Sequence, residues 1–227
     1  MNAPLAFELK KPRNADPDRT YPALFVMHGM GSNEKDMLNL VNGLEDHFYI
    51  FSIRGPIERP PGYAFFTIER FGKPHQEVFQ AAADKVSDFI SWAESEYPLD
   101  ASRIYLLGFS QGAILSMAIG LSLGTRIRGV VALSGYIPEF VKTEFQQSSM
   151  EGLSLFISHG EQDQALPFEW GQTSRNYFHD LGADVTFKNY PSAHTVSLQN
   201  YKDFEKWLLD SLAGPKRVNR GGNYYVK

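Results

Sequence analysis

Residues 103–123 read RIYLLGFSQGAILSMAIGLSL, and this stretch decides how the chain is understood. The apolar run IYLL leads in as a strand, and AILSMAIGL leads out as a helix. Between them Gly108-Phe109-Ser110-Gln111-Gly112 matches G-x-S-x-G. That pentapeptide alone is a weak signal. Set between a strand and a helix, it places the serine on a tight turn with strained backbone angles. The flanking glycines have no Cβ, so neighbouring elements can approach the turn closely. The Ser110 hydroxyl is then pushed out above the C-terminal edge of a sheet, and Ser110 is the candidate nucleophile.

Working outward from that turn, short apolar runs alternate with longer amphipathic stretches. Strands are expected at residues 5–9, 21–28, 48–53, 103–109, 129–134, 153–159 and 184–190. Helices are expected at 33–47 (with Ser32 or Asn33 as N-cap), 75–97, 111–123, 167–181 and 197–212. The helix at 75–97 carries Val78, Phe79, Ala82, Val86, Phe89, Ile90 and Ala93 at spacings of three or four, which makes one buried stripe. Residues 14–20 read as a turn. Residues 57–74 show no clear period and hold a dense aromatic group, Tyr63, Phe65, Phe66 and Phe71.

Strands separated by helices imply right-handed crossovers and a parallel sheet covered on both faces. About seven strands are expected in an α/β arrangement, with the first joining as an antiparallel edge. Residues 1–213 are expected to form one domain. The stretch 214–227, GPKRVNRGGNYYVK, is basic and glycine-rich and reads as a separate tail, either an unstructured end or an arm that docks on a partner subunit.

Composition narrows the classes of function. In 227 residues, 43% are hydrophobic and 21% charged, ordinary values for a globular protein. A net charge of −4 without a clustered basic face argues against a nucleic-acid partner and against attraction to anionic membranes. The absence of cysteine removes disulfides, thiolate metal sites and a cysteine nucleophile together. Residues 1–11 lack the apolar core of a signal peptide, and no run approaches the roughly 18 apolar residues of a membrane span. A cytoplasmic location without stable membrane insertion is expected. The histidines lack metal-ligand spacing, and no phosphate-cradling loop is present, so neither a metal nor another cofactor is expected.

A serine hydroxyl needs an adjacent base. Of the six histidines, three lie downstream of Ser110: His159, His179 and His194. Only His194, in Pro191-Ser192-Ala193-His194-Thr195, follows both the last strand and the loop expected to carry an acid. That loop, after the strand at 153–159, reads HGEQDQALP and offers Glu161 and Asp163. Asp163 is favoured because it lies deeper in the loop, before Leu166-Pro167 turns the chain into a helix. Two N–H groups should face the oxyanion: that of Gln111, after the nucleophile and at a helix start, and that of Met30, in His28-Gly29-Met30-Gly31-Ser32.

Four motifs in order, HGMGSNE, GFSQG, HGEQDQALP and PSAH, resemble the phospholipase/carboxylesterase family, small hydrolases that include acyl-protein thioesterases. The resemblance runs from about residue 21 to residue 212. It implies the α/β-hydrolase fold, a catalytic serine, aspartate and histidine at Ser110, Asp163 and His194, and oxyanion donors at Met30 and Gln111. It implies hydrolysis of short- to medium-chain carboxylic esters as small-molecule substrates, with thioesters or lysophospholipids as the alternative. Apolar residues on the last helix or in the tail would offer a surface for a homodimer, as in some family members. The segment GYAFFTIERFG at 62–72 departs from the family, where many members carry a tryptophan-containing loop. A non-catalytic binding protein on the same scaffold is the reading from a different class.

Apolar residues near loops at the sheet's C-terminal edge should shape the substrate pocket. Phe65, Phe66, Ile137 and Leu166 are the candidates. Residues 138–150 look irregular and are a candidate lid.

Overall fold

The computed structural model describes residues 2–13, 15–16 and 18–213. The tail at 214–227 lies outside the described residues, as do Asn14 and Pro17 of the expected turn. In chain order the elements are β1 (Phe7–Lys10), β2 (Tyr21–Met27), α1 (Glu34–Leu40), β3 (Tyr49–Ile53), β4 (Ile57–Arg59), β5 (Gly62–Ala64), β6 (Ile68–Arg70), β7 (Lys73–Pro74), α2 (Gln76–Glu96), β8 (Leu99–Phe109), α3 (Gln111–Leu123), β9 (Gly129–Leu133), α4 (Glu139–Glu144), β10 (Ser154–Gly160), α5 (Phe168–Asp180), β11 (Asp184–Tyr190) and α6 (Leu198–Leu212).

Seven strands form one sheet in the order β1-β3-β2-β8-β9-β10-β11. All neighbours are parallel except β1, which runs antiparallel to β3 at the edge, as expected. Period-two alternation sorts the strand residues between two cores. Ala23, Phe25 and Met27 of β2, Phe51 of β3, Ile104 and Leu106 of β8, and Leu155 and Ile157 of β10 face the side covered by α2 and α3. Leu24, Val26, Ile50, Tyr105, Leu107 and Phe156 face the side that receives Met37 of α1 and Phe204 and Leu208 of α6. Phe25 stacks on Phe51 at 5.0 Å, and Phe89 of α2 meets both edge-on. Each such fully buried side chain contributes about 2–3 kcal/mol. The helix α3 is buried from Gln111 through Leu121, so the element behind the serine is fixed on all sides.

Three segments depart from expectation. The helix expected at 33–47 ends at Leu40, because Gly43 takes φ +97° and the chain closes into successive turns, Leu44 N–H to Val41 O and His47 N–H to Leu44 O. Its N-cap is Asn33, whose side chain accepts the amides of Lys35 and Asp36. Residues 57–74 form two small antiparallel hairpins, β4–β5 and β6–β7, separate from the main sheet. Residues 138–150, irregular in expectation, are anchored in the core. They contain α4 and descend beside α3, with Val141, Phe145 and Met150 buried in the core and the Ser148 amide and hydroxyl bonded to the carbonyls of Leu121 and Ser122 at the far end of α3. Among the described residues no helix is long and apolar enough to cross a membrane.

Candidate active site

The parallel register brings five chain segments to one edge of the sheet. Gly108 pairs with Met27 and with Ala132, Leu133 with Ser158, and Gly160 with Tyr190, so the chain leaves β2, β8, β9, β10 and β11 at the same end. At the centre is the β8–α3 turn. Ser110 sits at φ 53°, ψ −116°, a conformation that L residues rarely occupy. Its amide donates to Leu133 O and its carbonyl accepts the Ile114 amide, so both neighbouring elements hold the turn. A Cβ on Gly108 would overlap the backbone of Gly112, and one on Gly112 would overlap the carbonyl of Met27. The two glycines of the pentapeptide are the condition for α3 to start so close to β2 and β8.

The structure joins Ser110, His194 and Asp163 in series. His194 Nε2 lies 2.9 Å from Ser110 Oγ, and His194 Nδ1 lies 2.7 Å from Asp163 Oδ2. A carboxylate only accepts, so Nδ1 carries the proton and Nε2 is left to accept from the serine hydroxyl. The Asp163 side chain is fully buried, and its Oδ1 accepts the amides of Ala165 and Leu166, both at 2.9 Å. The His194 ring packs on Phe109 with ring centres 4.9 Å apart. Its loop approaches β10 closely because residue 160 is glycine: a Cβ there would overlap the carbonyls of Ser192 and Ala193. Glu161, the other candidate acid, turns outward and bonds Asn189 instead.

Beside Ser110 lies the loop after β2, where a Cβ on Gly29 would stand 3.4 Å from the Ser110 Cβ. Met30 is partly exposed, and its amide has no acceptor among the described residues. The Gln111 amide is the first of α3 and has no acceptor within the helix. The loop is tied on both flanks. Gly31 N–H donates to Tyr63 O and Tyr63 N–H to Ser32 O, both at 2.8 Å. Beyond it Arg54 grips the buried Glu34 through two hydrogen bonds, at 2.8 and 2.5 Å, and lies over the Tyr63 ring. The Arg54 guanidinium holds the Glu34 carboxyl below the usual carboxylate range.

Several of these supports were not recognised from the sequence. His28 donates from Nδ1 to Gly29 O at 2.7 Å and accepts the Gly55 amide at Nε2, at 2.9 Å, which ties the Met30 loop to the end of β3. Burial lowers its pKa, so the ring is neutral. The buried Gln111 side chain accepts the Phe65 amide and donates to Phe66 O, both at 2.7 Å. Gln111 was singled out for its backbone alone, and Glu34 lay inside a quoted motif without a role. Their one sequence signal was a polar residue amid apolar ones, which does not name a partner.

The four candidate pocket residues occupy different places. Phe65 is wholly buried and packs on the His28 ring, 4.8 Å between centres. Phe66 lines a cavity of about 400 Å³ with Met30, Ile57, Ala64 and Ile68 and with the polar Glu58, Arg59 and Thr67. Ile137 lines a second cavity, of about 310 Å³, with Gly72, Tyr136, Pro138 and Trp170. Leu166 is half-buried, and its backbone amide holds the carboxylate of Asp163. Trp170 was not anticipated: Phe71 of the second hairpin and Tyr136 both rest on it. Among the described residues no group of three or more His, Asp or Glu side chains is disposed to hold a metal ion.

Comparison with known proteins agrees with this architecture. The phospholipase/carboxylesterase family model matches residues 14–211. Acyl-protein thioesterase 1 of Debaryomyces hansenii is 27% identical over 212 residues, covering 84% of this chain and 91% of that protein. Acyl-protein thioesterase 1 of Candida albicans is 26% identical over 208 residues, covering 82% and 90%. Among solved structures, the Bacillus cereus carboxylesterase superposes with a TM-score of 0.82 at 22% identity, over 92% of this chain and 96% of that one. At that identity the likeness speaks for the fold, which is the α/β-hydrolase fold.

Proposed function

Because the chain belongs to the phospholipase/carboxylesterase family, we propose that it is a serine hydrolase that cleaves carboxylic acyl esters and thioesters through an acyl-enzyme on Ser110. The reading is carried by one observation: an alcohol, an imidazole and a buried carboxylate lie in unbroken hydrogen-bonded series, Ser110–His194–Asp163, at 2.9 and 2.7 Å.

In this reading the Ser110 oxygen attacks the substrate carbonyl as its proton passes to His194 Nε2. The imidazolium is stabilised by Asp163, which keeps its negative charge and fixes the tautomer. The carbonyl oxygen becomes an oxyanion and receives the Met30 and Gln111 amides, the latter aided by the positive end of the α3 dipole. Collapse expels the alcohol or thiol, which takes the proton from His194. A water molecule then repeats the sequence on the acyl-serine, releases the acid and restores the hydroxyl. Each backbone donor supplies about 3 kcal/mol of transition-state stabilisation.

The cavity bounded by Met30 and Phe66 is the proposed seat of the acyl group. Ile137 and Leu166 would border the opposite side. Two relatives that cover most of this chain are named acyl-protein thioesterases, which favours thioesters over the simple esters expected first.

Rates on p-nitrophenyl butyrate and on an octanoyl thioester test both levels. Ser110→Ala should lose at least about three orders of magnitude on each substrate. Equal rates in the two proteins overturn the nucleophile. A higher kcat/KM for the simple ester than for the thioester overturns the thioester preference alone.

A further inference from the structure

His159 is the penultimate residue of β10, four before Asp163, and is fully buried. Its ring is not part of the Ser110–His194–Asp163 series, yet it lies against the same carboxylate. His159 Nε2 is 2.9 Å from Leu166 O and 3.5 Å from Asp163 Oδ2. Both neighbours can only accept, so Nε2 carries the hydrogen. The other ring nitrogen, Nδ1, is buried without a hydrogen-bond partner and packs where Gly171 leaves room for it; a Cβ there would stand 2.6 Å from Nδ1. A leucine or phenylalanine would fill this space without an unsatisfied acceptor. Packing alone therefore does not account for a histidine, whereas an N–H directed from this point does.

We propose that His159 is a positioning residue for the acid: its Nε2–H clamps Leu166 and faces Asp163 Oδ2, holding the carboxylate at the angle that His194 requires. The proposal rests on the reading of Ser110, His194 and Asp163 given above.

The geometry explains how the clamp would work. Leu166 is gripped at both ends, its amide by Asp163 Oδ1 at 2.9 Å and its carbonyl by His159. Among the described residues no backbone N–H outside the helices and strands donates to the Leu166 carbonyl, so its donor is the His159 side chain. Without that donor the half-buried carbonyl turns to find another, and the Leu166 amide turns with it. One of the two backbone bonds that orient the carboxylate is then lost, and the remaining Oδ2 contact to His194 Nδ1 is free to rotate. Burial keeps His159 below its ordinary pKa, so the ring remains a neutral single donor at neutral pH rather than a second cation beside Asp163.

Two polar substitutions separate donor position from packing. Glutamine places its amide nitrogen near the position of Nε2, and asparagine places it near Nδ1. Expected is a kcat for His159→Gln within about threefold of the unsubstituted protein, and for His159→Asn a fall of about tenfold to a hundredfold, with KM changed less than about twofold. Equal kcat for the two variants overturns the proposal, as does a loss confined to KM. Independently of any variant, the ¹⁵N shifts of the unsubstituted protein must show His159 protonated at Nε2; protonation at Nδ1 overturns it even where a variant fails to fold. Ser110→Ala is measured alongside. If it is inactive while His159→Asn keeps full kcat, this inference alone falls. If Ser110→Ala keeps its activity, the parent reading falls with it.

Discussion

The strained turn at Ser110 has a consequence that thermal stability can measure. At φ 53°, ψ −116° a side chain crowds its own backbone, whereas glycine occupies this region freely. Such a residue stores about 1–3 kcal/mol. Ser110→Ala keeps the Cβ and the strain; Ser110→Gly removes both. Each variant loses the hydrogen bond to His194, and the Ser110 side chain makes no cap bond to α3, so these effects cancel between them. Glycine also raises the entropy of the unfolded chain, which costs about 0.4–1 kcal/mol. The difference leaves Ser110→Gly more stable than Ser110→Ala by about 1 kcal/mol. For a chain of this size that is roughly 2–4 °C in Tm. The assay is a pair of calorimetric melts at pH 7.5, with both variants inactive. If Ser110→Ala melts at or above Ser110→Gly, the turn is not strained and the reasoning from its backbone angles is wrong.

Two further outcomes concern stability. Arg54→Met should leave the Glu34 carboxylate, 2% exposed, without its partner. The expected loss is about 3 kcal/mol, at the low end for a broken buried pair because the Arg54 side chain is itself 35% exposed; a urea midpoint unchanged from the parent would refute it. His28 and His159 are both held below their ordinary pKa by burial. The unfolded chain takes up protons at these rings below about pH 6.5 while the folded chain resists them, so stability is complete above that value and falls as the pH drops. Urea midpoints at pH 7.5 and 5.5 should decline together with proton uptake on unfolding, and a flat profile would contradict the assignment.

The fold was legible wherever one pattern had one meaning. The runs at 21–28 and 103–109 became the central strands, and the stripe from Val78 to Ala93 became the buried face of α2. The convergence of Ser110, Asp163 and His194 was legible because chain order and strand ends restrict where each can lie. The hairpins at 57–74 were not legible, since strands of two or three residues are too short for an alternation to register. The early end of α1 depended on the backbone angle of Gly43, while its apolar residues Val41 and Leu44 continued a helical spacing that the turns also bury. The supporting roles of His28, His159 and the Gln111 side chain were not legible for another reason. Their partners are main-chain groups, near in the chain for His159 and distant for Gln111, and main-chain groups leave no mark in a sequence.

The two bonds from the Gln111 side chain to residues 65 and 66 bear on any attempt to redesign substrate preference. They join the Ser110 turn and residues 65–66 into a single unit. Past that point the β6–β7 hairpin is a replaceable cassette, resting on Trp170 through Phe71. Grafts that begin after Phe66 should therefore alter which acyl groups fit while leaving the chemistry untouched, and grafts that begin earlier should damage both.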